Sequence, residues 1–164
     1  MVIEIYYSFE QGNQKKKHEK ISYRVIGSWD ESEIIALYRA GGWWELGSNP
    51  QNIPLLIRGS FLFIIALDID TDCAVGMGRI IADGFSDGYI QDVVVHHDYR
   101  ENGIGTVIAT LLRSLGLALG LSWMGLISVP GMENIYIRAG FSPMKNYIPM
   151  NLDEKRQNRY HDTQ

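Results

Sequence analysis

The stretch that most restricts what this chain can fold into is DVVVHHDYRENGIGTVIATLL, residues 92–112. The valines read as a strand, and a charged loop follows them. Gly103 and Gly105 then open a helical repeat in which Val107, Ile108, Leu111, Leu112 and Leu115 share one face. In that order, strand, glycine turn and helix bring bare backbone close to an anion, because the first amides of a helix have no internal partner and its N-terminus is positive. Arg100 in the loop can add a cation. Alone, two glycines one residue apart are also explained by a tight turn, so the context has to decide.

Two nucleotide readings fail. GIGTVIA mimics a dinucleotide fingerprint, but the loop from Val95 to Gly103 is too long, and no acidic residue follows about twenty positions on to hold a ribose. No GK[ST] is present, which removes a nucleotide P-loop.

The rest of the chain alternates strand-like and helical runs. Ile3, Ile5, Tyr7 and Phe9 alternate with mostly polar neighbours, and QGNQKKKHEK after them reads as a solvated loop. ISYRVI is a second strand. Asp30 can N-cap a helix over ESEIIALYRA that Gly41 and Gly42 end, and a short helix is expected after Pro50. SFLFIIALD and CAVGMGRII are strands joined by a turn at IDTD, and YIQDVVV follows. WMGLISV is the next strand, MENIYIRAGF a short helix closed by Gly140, and NYIPMNL a last strand. Residues 114–132 carry no charge, yet their glycines and Pro130 fit a helix end, a turn and a strand better than a membrane span.

With 164 residues a single domain is expected. The net charge of -4 argues against a nucleic-acid binder and suits a cationic small substrate. One cysteine, Cys73, allows no internal disulfide, no Cys/His spacing for a metal exists, and the N-terminus lacks a secretory pattern. A cytoplasmic protein without metal or membrane partner is the expectation.

At VVVHHDYRENGIGTVIATLL the chain resembles the acyl-CoA-binding motif of the GNAT N-acetyltransferases, V-x-V followed by Q/RxxGxG/A and a helix. AVGMGRIIADG resembles that family's third strand. IYIRAGF resembles its FYxKxGF element, with Tyr136, Arg138, Gly140 and Phe141 in register. The resemblance covers residues 21–151, leaving an N-terminal extension of strand and basic loop at 1–20 and a polar tail at 152–164. It implies an α/β acyl-CoA N-acyltransferase fold, a mixed, mostly antiparallel twisted sheet of six to seven strands flanked by helices. Residues 2–9 are expected to pair with a sheet edge in this chain or in a homodimer partner.

By the same resemblance, the backbones of Val93 and Val95 pair with the pantetheine arm of acetyl-CoA, because this strand splays from the next. Arg100 and the amides of Asn102, Gly103, Ile104, Gly105 and Thr106 take the pyrophosphate. Glu101 and Asn102 stand where the family usually has small or basic residues, and the acid is expected to weaken that site. The implied reaction moves an acetyl group to a primary amine of a small molecule. The alternatives are a protein or peptide amine, or a non-catalytic acyl-CoA-binding module. Tyr136 matches the tyrosine beside the CoA sulfur, and its other reading is a half-buried packing aromatic. Asp92 is either base or substrate ligand, or a structural hydrogen-bonding residue, and alternation turns it away from Gln91 and Val93 unless a bulge intervenes. Trp43, Trp44 and Glu45 occupy the segment that lines the acceptor cleft in the family and could hold a cationic amine. His96 and His97, being consecutive, are not expected to share a metal.

Overall fold

In the computed structural model, which describes residues 3–6, 20–44 and 48–152, one six-stranded sheet runs in the order β1 (Ile3–Tyr6), β2 (Ile21–Val25), β3 (Leu62–Asp68), β4 (Cys73–Ala82), β5 (Asp87–Val95), β6 (Trp123–Gly125). Every pairing is antiparallel except β5 with β6, which is parallel. The helices are α1 (Glu31–Ala40), α2 (Ile53–Arg58), α3 (Ile104–Ala118) and α4 (Glu133–Arg138). The expected mixed sheet flanked by helices is therefore present.

LFIIALD is apolar almost without interruption, the pattern of a strand covered on both faces, and every residue of β3 is buried. On one face Phe63 and Ile65 pack with Ile34 and Leu37 of α1, Ile53 and Ile57 of α2, and with Met77 and Val94. On the other, Leu62, Ile64 and Ala66 pack with Ile104, Ile108 and Leu112 of α3. Each fully buried aliphatic side chain contributes about 1.5 to 3 kcal/mol relative to exposure, so these two layers hold the helices on the sheet. At the start of α1 the Asp30 carboxylate accepts from the amides of Ser32 at 2.9 Å and Glu33 at 3.2 Å, the expected cap.

The N-terminal strand pairs within this chain. Ile3 lies opposite Val25 and Tyr6 opposite Ser22, so β1 closes the edge of β2. Residues 7–19 and 153–164, with the basic loop and the polar tail, lie outside the described residues. The C-terminal expectation is corrected: NYIPMNL, residues 146–152, is not a strand, and Tyr147, Ile148, Met150 and Leu152 are exposed. Pro149 in its middle has no N–H for a ladder. WMGLISV likewise pairs only at Trp123–Gly125. α3 stops at Ala118 ahead of a turn at Gly120, and among the described residues no helix is long and apolar enough to cross a membrane.

Two irregularities of the sheet lie at β5. β6 meets β5 only at Asp87, Gly88 and Tyr89, and the outer edge of β5 continues to Val95 without it. Across the β4–β5 pair, Met77 faces Val94 and Arg79 faces Gln91, so Gly78 alone opposes both Asp92 and Val93. That is a β-bulge, with Asp92 at φ +56°, a left-handed conformation uncommon outside glycine. Gly78 is also where α3 presses closest on β4: a Cβ there would lie 2.7 Å from Ile108 Cγ2 and 3.1 Å from Leu112 Cδ1. Gly78→Ala should therefore push α3 off the sheet, costing about 1 to 3 kcal/mol. At about 2 to 4 °C per kcal/mol, thermal unfolding should register that as a clear fall in Tm.

Candidate active site

The loop after β5 is held at several points. It enters a 3-10 turn at His97–Tyr99 and leaves through Gly103, whose φ of +77° is the left-handed geometry a glycine takes without strain. The first backbone bond of α3 runs from Val107 N to Gly103 O at 3.1 Å. The amides of Ile104, Gly105 and Thr106 precede it, so they point out of the helix start. The Ile104 side chain is buried against β4, near Gly76, leaving its backbone to the loop. Asn102 likewise turns its side chain inward, with Nδ2 donating to Tyr99 O at 3.2 Å. Gly105 is buried: a Cβ there would sit 3.6 Å from Ile135 Cδ1 and 3.7 Å from Val95 Cγ2, between β5 and α4.

Arg100 is more engaged than a free phosphate-binding cation. Its Nε donates to Val95 O and its Nη2 to Ala40 O, each at 3.0 Å. The guanidinium thus ties the loop to β5 and to the C-terminal end of α1. It also occupies one lone pair of a carbonyl that the resemblance assigned to pantetheine. The side chain stays exposed, so its remaining donors face solvent.

The bulge resolves the orientation of Asp92. It shares the α1 side of the sheet with Gln91 while Val93 packs into the α3 layer. Asp92 Oδ2 accepts from Tyr38 Oη and from Arg79 Nε, each at 2.6 Å, and Arg79 Nη2 donates to Gln91 Oε1 at 3.0 Å. The side chains of Arg79 and Asp92 are only 13% and 21% exposed, so each needs the other's charge. Burial first, then the Asp92 carboxylate, pushes the Tyr38 phenol well above its ordinary pKa. The sequence reading missed Tyr38 and Arg79. The available signal was an arginine inside the apolar run CAVGMGRII, since a cation on a buried strand requires a partner.

Tyr38 also joins Asp92 to the tryptophans. Its ring stands edge-to-face with Trp43 at 6.4 Å and tilted against Trp44 at the same separation. Trp43 is 43% exposed, whereas Trp44 packs on the α1 layer. Glu45 lies outside the described residues.

Tyr136 is half-buried on α4 and lines a cavity of about 250 Å³ with Trp123, Met124, Leu126, Ile137 and Phe141. Burial, and then the nearby Tyr89 phenol, raise its pKa. Tyr89 is the last β5 residue paired to β6, so Tyr136 stands where the strands part. Asp92 is three residues further along, about 10 Å at the usual strand rise. His96 and His97, which the sequence did not lead one to expect on a shared metal, lie side by side on the turn. Their rings stack at 4.1 Å, and their nitrogens and the Asp98 carboxylate fall within 4.8 Å of one another on an exposed turn.

The Tyr38 contact has a pH signature. A phenol whose pKa is raised on folding stabilises the fold below about pH 10, its unfolded value, and that contribution is lost as pH climbs beyond it. Tyr38→Phe should cost about 1 to 3 kcal/mol at pH 7 by removing a donor to a charged acceptor. Between pH 9 and 11 it should lose less stability than the unaltered protein, as measured by urea unfolding at each pH.

Comparison with known proteins points the same way. The sequence profile of the acetyltransferase (GNAT) family matches residues 19–139. No curated protein matches the chain. Among solved structures, a protein of unknown function from meticillin-resistant Staphylococcus aureus is similar with a TM-score of 0.69 at 19% identity, covering 81% of this chain and 98% of its own. An acetyltransferase from Trypanosoma brucei gives 0.66 at 22% identity, covering 81% and 100%. Glucosamine-6-phosphate N-acetyltransferase from Arabidopsis thaliana gives 0.63 at 16% identity, covering 82% and 100%. With its profile match spanning most of the sequence, the chain belongs to the GNAT acetyltransferase family, which transfers an acyl group from an acyl-CoA to an amine.

Proposed function

We propose that this protein transfers an acetyl group from acetyl-CoA to the primary amine of a small molecule by direct attack on the thioester. The observation that carries the reading is the parting of β5 from β6 after Tyr89, which leaves an open strand edge leading to the unpaired amides of α3. An extended pantetheine arm fits along such an edge as a further strand, and a pyrophosphate fits the helix start. The donor set agrees with the ligand: bare amides at Gly103, Ile104, Gly105 and Thr106, with the exposed Arg100 in the same loop.

Bound acetyl-CoA supplies the thioester carbon and the sulfur leaving group. The residues of this chain then divide the work. Val93 and Val95 align the arm by their backbone. Tyr136, at the parting of the strands, gives its hydroxyl proton to the departing sulfur as the new C–N bond forms and the C–S bond breaks, and the proton shed by the attacking nitrogen restores the phenol through solvent. A phenol is protonated at neutral pH, as a proton donor must be, and burial further favours that neutral form. Asp92 has both its hydrogen bonds on Oδ2, so Oδ1 is the oxygen that can receive an ammonium hydrogen of the acceptor. Trp43, with Tyr38 behind it, offers an exposed aromatic face to a cationic amine. The acceptor thus approaches from the α1 side of the sheet, and the acyl donor from the α3 side.

A small-molecule acceptor is favoured over a peptide because the acidic group, Asp92, is partly enclosed, and the sugar-phosphate acetyltransferase of similar fold carries such an acceptor in its name. A thiol-release assay with acetyl-CoA against amines, amino acids, polyamines and peptides tests this directly. Peptide-only turnover would transfer the acceptor to the protein class, and binding without any turnover would make the domain a sensor. On the best amine, Tyr136→Phe should lower kcat about 10²-fold while changing acetyl-CoA affinity little. A merely packed tyrosine would leave that variant near normal, with only Tyr136→Ala harmful through its cavity.

A further inference from the structure

We infer that Tyr99 is a positioning residue for the phosphate-gripping loop, held in place by the buried carboxylate of Asp68 at the end of β3. The inference rests on the reading of residues 102–106 as the pyrophosphate site.

Asp68 is 4% exposed, and a carboxylate that deep is costly unless its oxygens are hydrogen-bonded. Its oxygens reach at least two segments. Oδ1 accepts from Asp70 N at 2.9 Å, fixing the turn of its own hairpin. Oδ2 accepts from Tyr99 Oη at 2.7 Å, in the loop beyond β5. Tyr99 in turn gives its carbonyl to Asn102 Nδ2 at 3.2 Å, and its amide donates to His96 O at 2.9 Å. Gly103 and the amides of α3 come next. A continuous line of hydrogen bonds therefore runs from the fully buried β3 through Tyr99 and Asn102 to the donors meant for phosphate. Glu101, at φ +64°, is the strained residue inside that line, and a left-handed non-glycine residue persists only where its surroundings fix it. Donors aimed in advance spare the loop an ordering cost when an anion arrives.

The role differs from that of Arg100. Arg100 ties the loop to β5 and α1 from the exposed side, while Tyr99 ties it to the buried centre of the sheet. Tyr99→Phe keeps the ring, which packs on the α3 layer, and removes the hydroxyl with its bonds to Asp68 and to Thr71 of the same hairpin.

Calorimetry with acetyl-CoA on the full chain decides the matter. Tyr99→Phe should bind about tenfold more weakly than the unaltered protein, with KM for acetyl-CoA raised to match and kcat at saturation within about twofold. Amide exchange in the unliganded variant should quicken at residues 101–106 and stay unchanged in β3. Asp68→Asn can keep its one oxygen on Asp70 N and donate its amide to the Tyr99 hydroxyl, which then accepts, so the tether survives with its direction reversed and acetyl-CoA should bind within about threefold of the unaltered protein. A Tyr99→Phe protein with unchanged affinity and unchanged exchange overturns the inference while leaving the phosphate site standing. An unaltered protein that binds no acetyl-CoA overturns the site assignment, and the inference falls with it.

Discussion

β5 is hydrogen-bonded to β4 from Gly88 through Val95 but to β6 for only three residues, and the rest of the structure is organised around that asymmetry. A strand edge left open inside a sheet is ordinarily a liability, since its backbone groups seek a partner. Here the opening is flanked by α3 and α4 and leads to a helix start with outward amides. An extended, anionic ligand is the kind of molecule that satisfies both the edge and the helix end.

The opening is kept in shape by charges that have little freedom. Asp92 sits in the bulge at a positive φ, and its carboxylate is bonded to Arg79 and Tyr38 from two different elements. A partly buried ion pair adds little net stability over an apolar pair, but removing one member leaves the other uncompensated. The cluster therefore fixes geometry more than it stabilises the fold. It couples α1, and through Tyr38 the tryptophans after it, to the strand at the point where the sheet opens.

Much of this is legible in the chain alone. The glycine turn before α3, the Asp30 cap, the β3–β4 hairpin and the apolar stripe of α3 obey local rules, which depend on neighbours a few residues apart. The strand expected at NYIPMNL does not form, because alternation of apolar residues does not reveal whether a partner strand is within reach, and Pro149 weighs against a ladder there. The pairing of Arg79 with Asp92 and Tyr38 is invisible in the sequence for a related reason. It joins residues brought together by register, and a bulge shifts the register by one and turns a side chain to the other face.

The sequence by itself determined that a strand, a glycine turn and an amphipathic helix follow one another at the loop proposed to grip phosphate, because each depends on local backbone preference and short-range periodicity. It also marked Tyr136 and the loop residues as the ones to watch, through their resemblance to family motifs. Only the tertiary structure decided that Arg100 clamps carbonyls of β5 and α1, that Asp92 is bonded on one oxygen by two partners, and that Asp68 holds Tyr99 from across the sheet. Those contacts link residues far apart in the chain. Their geometry is fixed by strand register and by which groups become buried together, and no local pattern carries that information.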